Sequence, residues 1–197
     1  MKKAVQQRTL ETRSRLTSVA DQLVAEKGFE ALRIEETVQA AGVAKGTFFA
    51  HFKDKDELMD LLIGQRIETL LDRMATEPAP RDADQLAQRL MPLVELMSSE
   101  RYVFDLIMRR SGALAVEEIG PIALSFGRLG ELVGQWLAQG AFRQDVPIEI
   151  LVEGVEAFLM QTLALNFCAL HKDKTMKARL LPYLLAWLAP VGCRASP

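Results

Sequence analysis

The side chains able to do chemistry in this chain are few, and they leave little room for catalysis. There are two histidines, His51 and His171, and two cysteines, Cys168 and Cys193, with no glycine-rich phosphate loop and no histidine–cysteine cluster at metal spacing. A ligand-modifying enzyme is therefore disfavoured, no metal or other cofactor is expected, and both thiols are expected to be free, as suits a reducing cytoplasm. The group that stands out is Lys45-Gly46-Thr47 with Ala50 and His51 close behind. A cation and a hydroxyl, beside a glycine that admits close backbone approach, suit hydrogen bonding to phosphates and base edges more than bond making.

Such a group must be carried on an outward helix face and braced from behind. Ile34, Val38 and Ala41 recur at helical spacing, and Gly42 follows where a helix end takes a left-handed cap. A short helix therefore ends near Ala41, and Val43 plugs the turn. Lys45 to Phe52 reads as a second short helix, with Phe48, Phe49 and Phe52 on its inner side and Lys45, Gly46, Thr47, Ala50 and His51 towards the outside. Two short helices about a glycine-containing turn form a helix-turn-helix, whose second helix enters the major groove.

Gly28-Phe29, Ala41-Gly42-Val43, Lys45-Gly46-Thr47, His51-Phe52, Lys55 and Leu58 together resemble, at their spacing, the N-terminal domain of the tetracycline-repressor (TetR) family of transcriptional regulators. The resemblance covers roughly the first third of the chain. It implies an all-α homodimer with a three-helix DNA-binding head, a C-terminal body for ligand binding and dimerisation, and repression of an operator relieved by a small molecule. Carried over residue by residue, it places DNA contacts at Arg33, Lys45, Gly46, Thr47, Phe49, Ala50, His51 and Lys55, with His51 donating to a phosphate. The chain also departs from the family. Arg33 and Ala44 stand where serine or threonine often caps the second and third helices, each change weakening a cap by about 1 kcal/mol. Thr37 and Val38 replace an isoleucine and an alanine, and Phe49 replaces the tyrosine whose hydroxyl meets a phosphate. These departures keep an alternative open, a helical ligand- or protein-binding module with a degenerate helix-turn-helix.

Charge is divided as that resemblance requires. The whole chain has a net charge of −2, but residues 1–55 carry ten basic and seven acidic residues, whereas residues 56–197 carry fourteen and nineteen. A basic head on an acidic body is the expectation, with residues 1–55 as the DNA-binding domain and 56–197 as the body, residues 56–76 forming the connecting helix. With 49% hydrophobic residues, 197 residues can bury both a core and a ligand. The first fifteen residues lack the apolar centre of a signal peptide, and the run 158–170 is too short and too interrupted to span a bilayer, so a soluble cytoplasmic protein is expected.

Along the chain, Met1 to Arg8 is expected to be a polar arm, and Leu16, Val19, Ala20, Leu23 and Val24 form the stripe of a helix running from Thr9 to Gly28. Asp54 is placed to cap the helix opening at Asp56-Glu57, and two prolines end that helix at 77–82. Helices follow over 86–97, bent at Pro92, then 102–114, 122–139, 148–170 and 175–188. Arg109-Arg110 and Glu117-Glu118 could hold a polar group of a ligand, though such charged pairs are usually a solvated face, and His171 reads as a helix-end charge. Met97, Phe104, Met108, Phe126, Trp136, Phe158 and Gln161 are proposed to line an effector cavity, since methionine and aromatics shape adaptable pockets and a lone amide can orient a guest. The last two helices are apolar on more than one side, and the resemblance makes them a four-helix bundle with a twin, through Val155, Leu159, Leu163, Leu180, Leu184 and Trp187.

Overall fold

The structure is a computed structural model that describes residues 2–111, 119–168 and 174–190, the side chains of residues 2–5 excepted. Expectations resting on Leu114, Glu117, Glu118, Leu170, His171 and Cys193 lie outside the described residues. Among the described residues all regular structure is helical, as expected: α1 (Lys2–Lys27), α2 (Ile34–Ala40), α3 (Lys45–Phe49), α4 (Lys55–Thr76), α5 (Ala83–Met97), α6 (Arg101–Arg110), α7 (Pro121–Gln139), α8 (Ile148–Asn166) and α9 (Met176–Leu188). None of these helices is long and apolar enough to cross a membrane.

Local chemistry explains most of the boundaries. Gly28 and Gly42 close α1 and α2 at φ +87° and +63°, a region that side chains with a Cβ rarely enter. Asp54 and Asp82 accept the amides of Glu57 and Gln85, at 2.8 and 2.9 Å, and so begin α4 and α5. Thr175 does the same for α9 through Ala178, and Pro121 occupies the first turn of α7.

Several boundaries differ from expectation: α5 begins at Ala83 and not at Leu86, α6 ends at Arg110 and not at Leu114, and α8 ends at Asn166 and not at Leu170. The polar arm is not an arm, because α1 already begins at Lys2, and no glycine or proline interrupts residues 2–15. The third helix stops at Phe49 and not at Phe52: the amides of His51 and Phe52 both turn back to the Phe48 carbonyl, and Asp54 then starts α4.

The head core joins Leu16, Ala20 and Val24 of α1 to Phe29, Leu32, Val38, Phe48 and Phe52, closed from the body side by Leu58 and Leu62 of α4. In the body α4 packs chiefly on α7, while α9 lies between α5 and α8. The α4–α7 seam is tight, since a Cβ on Gly64 would lie 2.6 Å from that of Pro121. One turn earlier on α4 Asp60, only 2% exposed, accepts the amide of Ile122 at 2.9 Å and so caps α7. Burial pushes its carboxyl above the usual range, against the pull of that amide and of Arg110.

Candidate nucleic-acid interface

The short α3 is oriented by its aromatics. Phe48 and Phe52 are buried, with centroids 5.4 Å apart, and they anchor the helix to the head core. Phe49, expected on the inner side, is instead 48% exposed. Helical geometry turns it outward, since adjacent residues are separated by about 100° and Phe48 already occupies the inward direction. With Phe49 outward, the exposed surface of α3 and its C-terminal turn consists of Lys45, Gly46, Phe49 and Ala50, flanked by half-buried Thr47 and His51.

The helix is held without side-chain caps. Neither Arg33 nor Ala44 caps the helix it precedes, as their residue types lead one to expect. The Thr37 hydroxyl, buried, donates to the Arg33 carbonyl at 3.0 Å, which accounts for a threonine in the core of α2. Lys45 pairs with Glu35 at 2.5 Å, and that hydrogen bond holds the exposed Glu35 carboxyl below its ordinary value. Arg33 is exposed and donates to the Glu30 carbonyl at 2.9 Å.

Lys55 is placed differently from the rest. Its ammonium donates to the Glu30 carbonyl at 3.0 Å and sits 4.6 Å from the centroid of the Tyr102 ring, and burial, followed by repulsion from Arg33, lowers its proton affinity. It links the α1–α2 loop to the start of α4 and to α6. Glu100, just before α6, strengthens the same junction by accepting the amides of Phe29 and Glu30 at 2.8 and 2.7 Å. A Cβ on Gly28 would lie 2.7 Å from the Glu100 carboxylate, so that loop also needs a glycine for space. Tyr102 and Arg109 both donate to Asp56; although burial raises the Asp56 carboxyl, these bonds prevail and keep it below its usual range. On the other side Arg13 of α1 donates to the His51 carbonyl and stacks 4.2 Å over Phe52. Sequence reasoning missed Arg13, Glu100 and Tyr102, because they act on residues remote in the chain and no local spacing marks them.

The seven residues expected at an effector cavity are not all in the interior. Met97, Phe104 and Trp136 are buried, while Met108, Phe126 and Phe158 are half-buried. Their contacts lead to different neighbours: Phe104 stacks on Phe167 at 4.9 Å, Phe158 on Tyr183 at 5.0 Å, and Trp136 lies 5.6 Å from the Arg89 guanidinium. Gln161 is exposed on α8 and cannot orient a guest inside the body. A cleft of about 400 Å3 opens elsewhere, between α4 and α5, beside Leu70, Arg73, Met74, Gln88, Arg89 and Pro92.

The expected interface residues are also turned inward. Val155, Leu159, Leu163, Leu180 and Leu184 are buried within the single chain. Trp187 donates to the Leu151 carbonyl at 3.1 Å and lies so close to Gly154 that a Cβ there would collide with its ring. These six residues form the seam between α8 and α9 and the core beneath it. The outer side of the same pair presents Ile150, Ala157 and Ala164 of α8 with Leu185 and Ala186 of α9, and Ile150 and Leu185 are 44% and 51% exposed.

Comparisons with known proteins agree with the all-helical fold and its helix-turn-helix head. Residues 16–62, spanning the helix-turn-helix and the start of α4, match the family described as bacterial regulatory proteins, tetR family. The chain is 27% identical to the HTH-type transcriptional repressor BepR of Brucella suis biovar 1 (strain 1330), with 78% of this chain and 81% of that protein covered. Among solved structures it is similar to Thermus thermophilus FadR, a TetR-family transcriptional repressor in complex with lauroyl-CoA, at a TM-score of 0.65 and 22% identity over 94% of this chain and 97% of the other. It is similar also to RolR in complex with resorcinol, at a TM-score of 0.63 and 23% identity over 90% and 89%. The two likenesses show that the fold extends through the body as well as the head.

Proposed function

We propose that this chain, a member of the tetR family of bacterial regulatory proteins, is a ligand-responsive transcriptional regulator that represses by binding palindromic operator DNA as a homodimer and is released by a small molecule. The observation that carries the reading is the outward face of α3, where Lys45, Gly46, Phe49 and Ala50 stand exposed around the buried Phe48 and Phe52. A module whose helix-turn-helix had decayed would have no need to hold the Phe49 ring out in solvent beside Lys45 and Gly46, so the exposed face favours the operator reading.

In this account residues 1–55 bind DNA, residues 56–197 take the effector and dimerise, and 56–76 connect them. Lys45 and Thr47 read base edges, while Arg33, Phe49, Ala50 and His51 border the phosphates. Lys55 acts as a tie between head and body, so its effect on DNA is largely one of position. The outward stripe of α8 and α9 meets its twin, because exposed leucine and isoleucine on a helix pair are stabilised by a matching apolar surface. Met97, Phe104, Met108, Phe126, Trp136 and Phe158 favour a largely apolar effector somewhere in the body, and the FadR and RolR structures, which hold an acyl-CoA and a phenolic compound, support small organic molecules as its class. The protein acts in the cytoplasm.

A gel shift with DNA flanking the protein's own gene tests the reading. A retarded complex at low salt that disappears in the Lys45→Ala, Thr47→Ala double variant is expected; equal retardation of wild type and variant by every duplex would contradict it.

A further inference from the structure

We propose that the surface cleft between α4 and α5 is the seat of the effector, and that it takes an organic anion, an apolar body bearing one carboxylate; this deepens, and rests on, the ligand-responsive reading above. The cleft has a volume of about 400 Å3, within the range of about 300–1,000 Å3 usual for small-molecule sites. It has an apolar floor and a polar rim. Leu70 and Met74, one turn apart on α4, form the floor, Leu70 half-buried and Met74 only 3% exposed. Pro92, inside α5, lines the opposite side with an apolar ring that has no amide to donate. The exposed side chains of Arg73 and Gln88 stand on the rim, so the site opens directly to solvent.

The charge of the rim selects the guest. Arg89 pairs with Glu77 at 3.1 Å, donates to the Met74 and Pro78 carbonyls at 3.3 and 3.0 Å, and lies over the Trp136 ring, so it is spent on capping the end of α4. Asp84 pairs with Lys177 of α9 at 2.9 Å. That leaves Arg73, in the last turn of α4, with no ion pair among the described residues. A guanidinium beside an apolar floor is matched by a carboxylate on an apolar body, which it can hold through two parallel hydrogen bonds. An occupant also sits where it can act. On its far side α4 is fastened to α7, through Asp60 on the Ile122 amide, the Ser125 hydroxyl on the Gly64 carbonyl at 3.3 Å and Arg128 on Asp72 at 2.5 Å. Helix α5 instead packs chiefly on α9, to which the Asp84–Lys177 pair ties it. The cleft therefore separates the helix that leads to the head from the helices of the outward stripe, and a guest that prefers one spacing of the two biases the head by that difference in affinity.

Calorimetry on the full chain tests this with decanoate and 2-naphthoate as probes and their methyl esters as uncharged controls. At least one acid is expected to bind about tenfold more tightly than its ester, with Arg73→Ala erasing that advantage and Arg73→Lys keeping most of it. Gln88→Phe, which fills the cleft from its exposed rim, should remove acid and ester binding alike, with wild-type helicity by circular dichroism. In fluorescence anisotropy the saturating acid should weaken operator binding by the wild type and have no effect on that by the Gln88→Phe protein. Acid binding that survives both Arg73→Ala and Gln88→Phe would overturn the inference by placing the guest elsewhere in the body. Binding of neither acid by a chain that still holds its operator would also overturn it and leave the operator reading intact, as would occupancy of the cleft with no change in operator affinity. A wild-type protein that binds an acid but no duplex would overturn the operator reading, and the effector role of the cleft with it.

Discussion

The ring of Phe49 stands edge-on to that of Phe48, centroids 5.4 Å apart at 84°, and of the two only Phe48 is buried. Neighbours in sequence thus have opposite duties. Phe48→Ala should cost about 3–5 kcal/mol of stability in chemical denaturation, as for other large aromatics removed from a core. Phe49→Tyr should leave stability almost unchanged, because the added hydroxyl enters solvent. On DNA it should tighten operator and scrambled duplexes by a similar factor, since a hydrogen bond to a charged acceptor contributes about 1.5–3 kcal/mol and phosphate contacts carry no base information. Fluorescence anisotropy on both duplexes checks this; no gain on either would place the ring away from the backbone.

The two lysines of the site should separate by readout. Lys45, exposed and paired with exposed Glu35, should alter base preference when changed to alanine while leaving the melting temperature nearly unmoved. Lys55→Ala removes a bond to the Glu30 carbonyl and a contact with the Tyr102 ring, and should destabilise the fold by about 1–3 kcal/mol. Its loss of DNA affinity should be uniform across sequences. A Lys55→Ala protein with unchanged stability would contradict the tie between head and body.

Leu184 and Leu185 give an equally sharp contrast. Leu184→Glu buries an unpaired carboxylate in the core and should unfold or aggregate the chain, at a cost of several kcal/mol. Leu185→Glu places the same charge on the outward stripe, and should give a folded monomer with wild-type helicity and weakened operator binding. Light scattering together with circular dichroism decides the matter. A Leu185→Glu protein that remains a dimer would move the interface off this stripe.

Asp60 predicts a pH dependence of stability. Because burial raises its carboxyl above the usual value, the native state holds this proton more readily than the unfolded chain. The stabilisation is fully present below the unfolded value of about 4 and is lost as pH rises through the folded value. Asp60→Asn, which keeps an oxygen for the Ile122 amide, should flatten that downward trend and leave the share of Glu156, whose carboxyl burial and the neighbouring Glu153 charge also raise. Urea denaturation of both proteins from pH 4 upward measures it; parallel curves would show that Asp60 is not the group responsible.

What the sequence made legible was punctuation and periodicity. Gly42, Asp54, Pro121 and the prolines at 78 and 80 act on their immediate neighbours, so the boundaries they set could be read from residue type alone. Orientation about a helix axis was harder where apolar residues are adjacent. Phe48-Phe49 and Leu184-Leu185 each offer two apolar neighbours, and only tertiary packing decides which faces in. The same ambiguity turned all six expected interface residues into the internal seam of α8 and α9, and put Gln161 outside. The Glu100 clasp on the 28–30 loop was not legible at all, since it depends on where α6 begins relative to α1, a relation no local pattern encodes.

Selection of bound sequences from a pool of random duplexes, with the full-length protein at moderate salt, tests the central claim most directly. The account predicts enrichment of a two-fold symmetric motif, its half-sites spaced for two copies of α3, and loss of that enrichment in Lys45→Ala, Thr47→Ala protein of unchanged fold. Recovery of no motif by a folded, dimeric wild-type protein would contradict it.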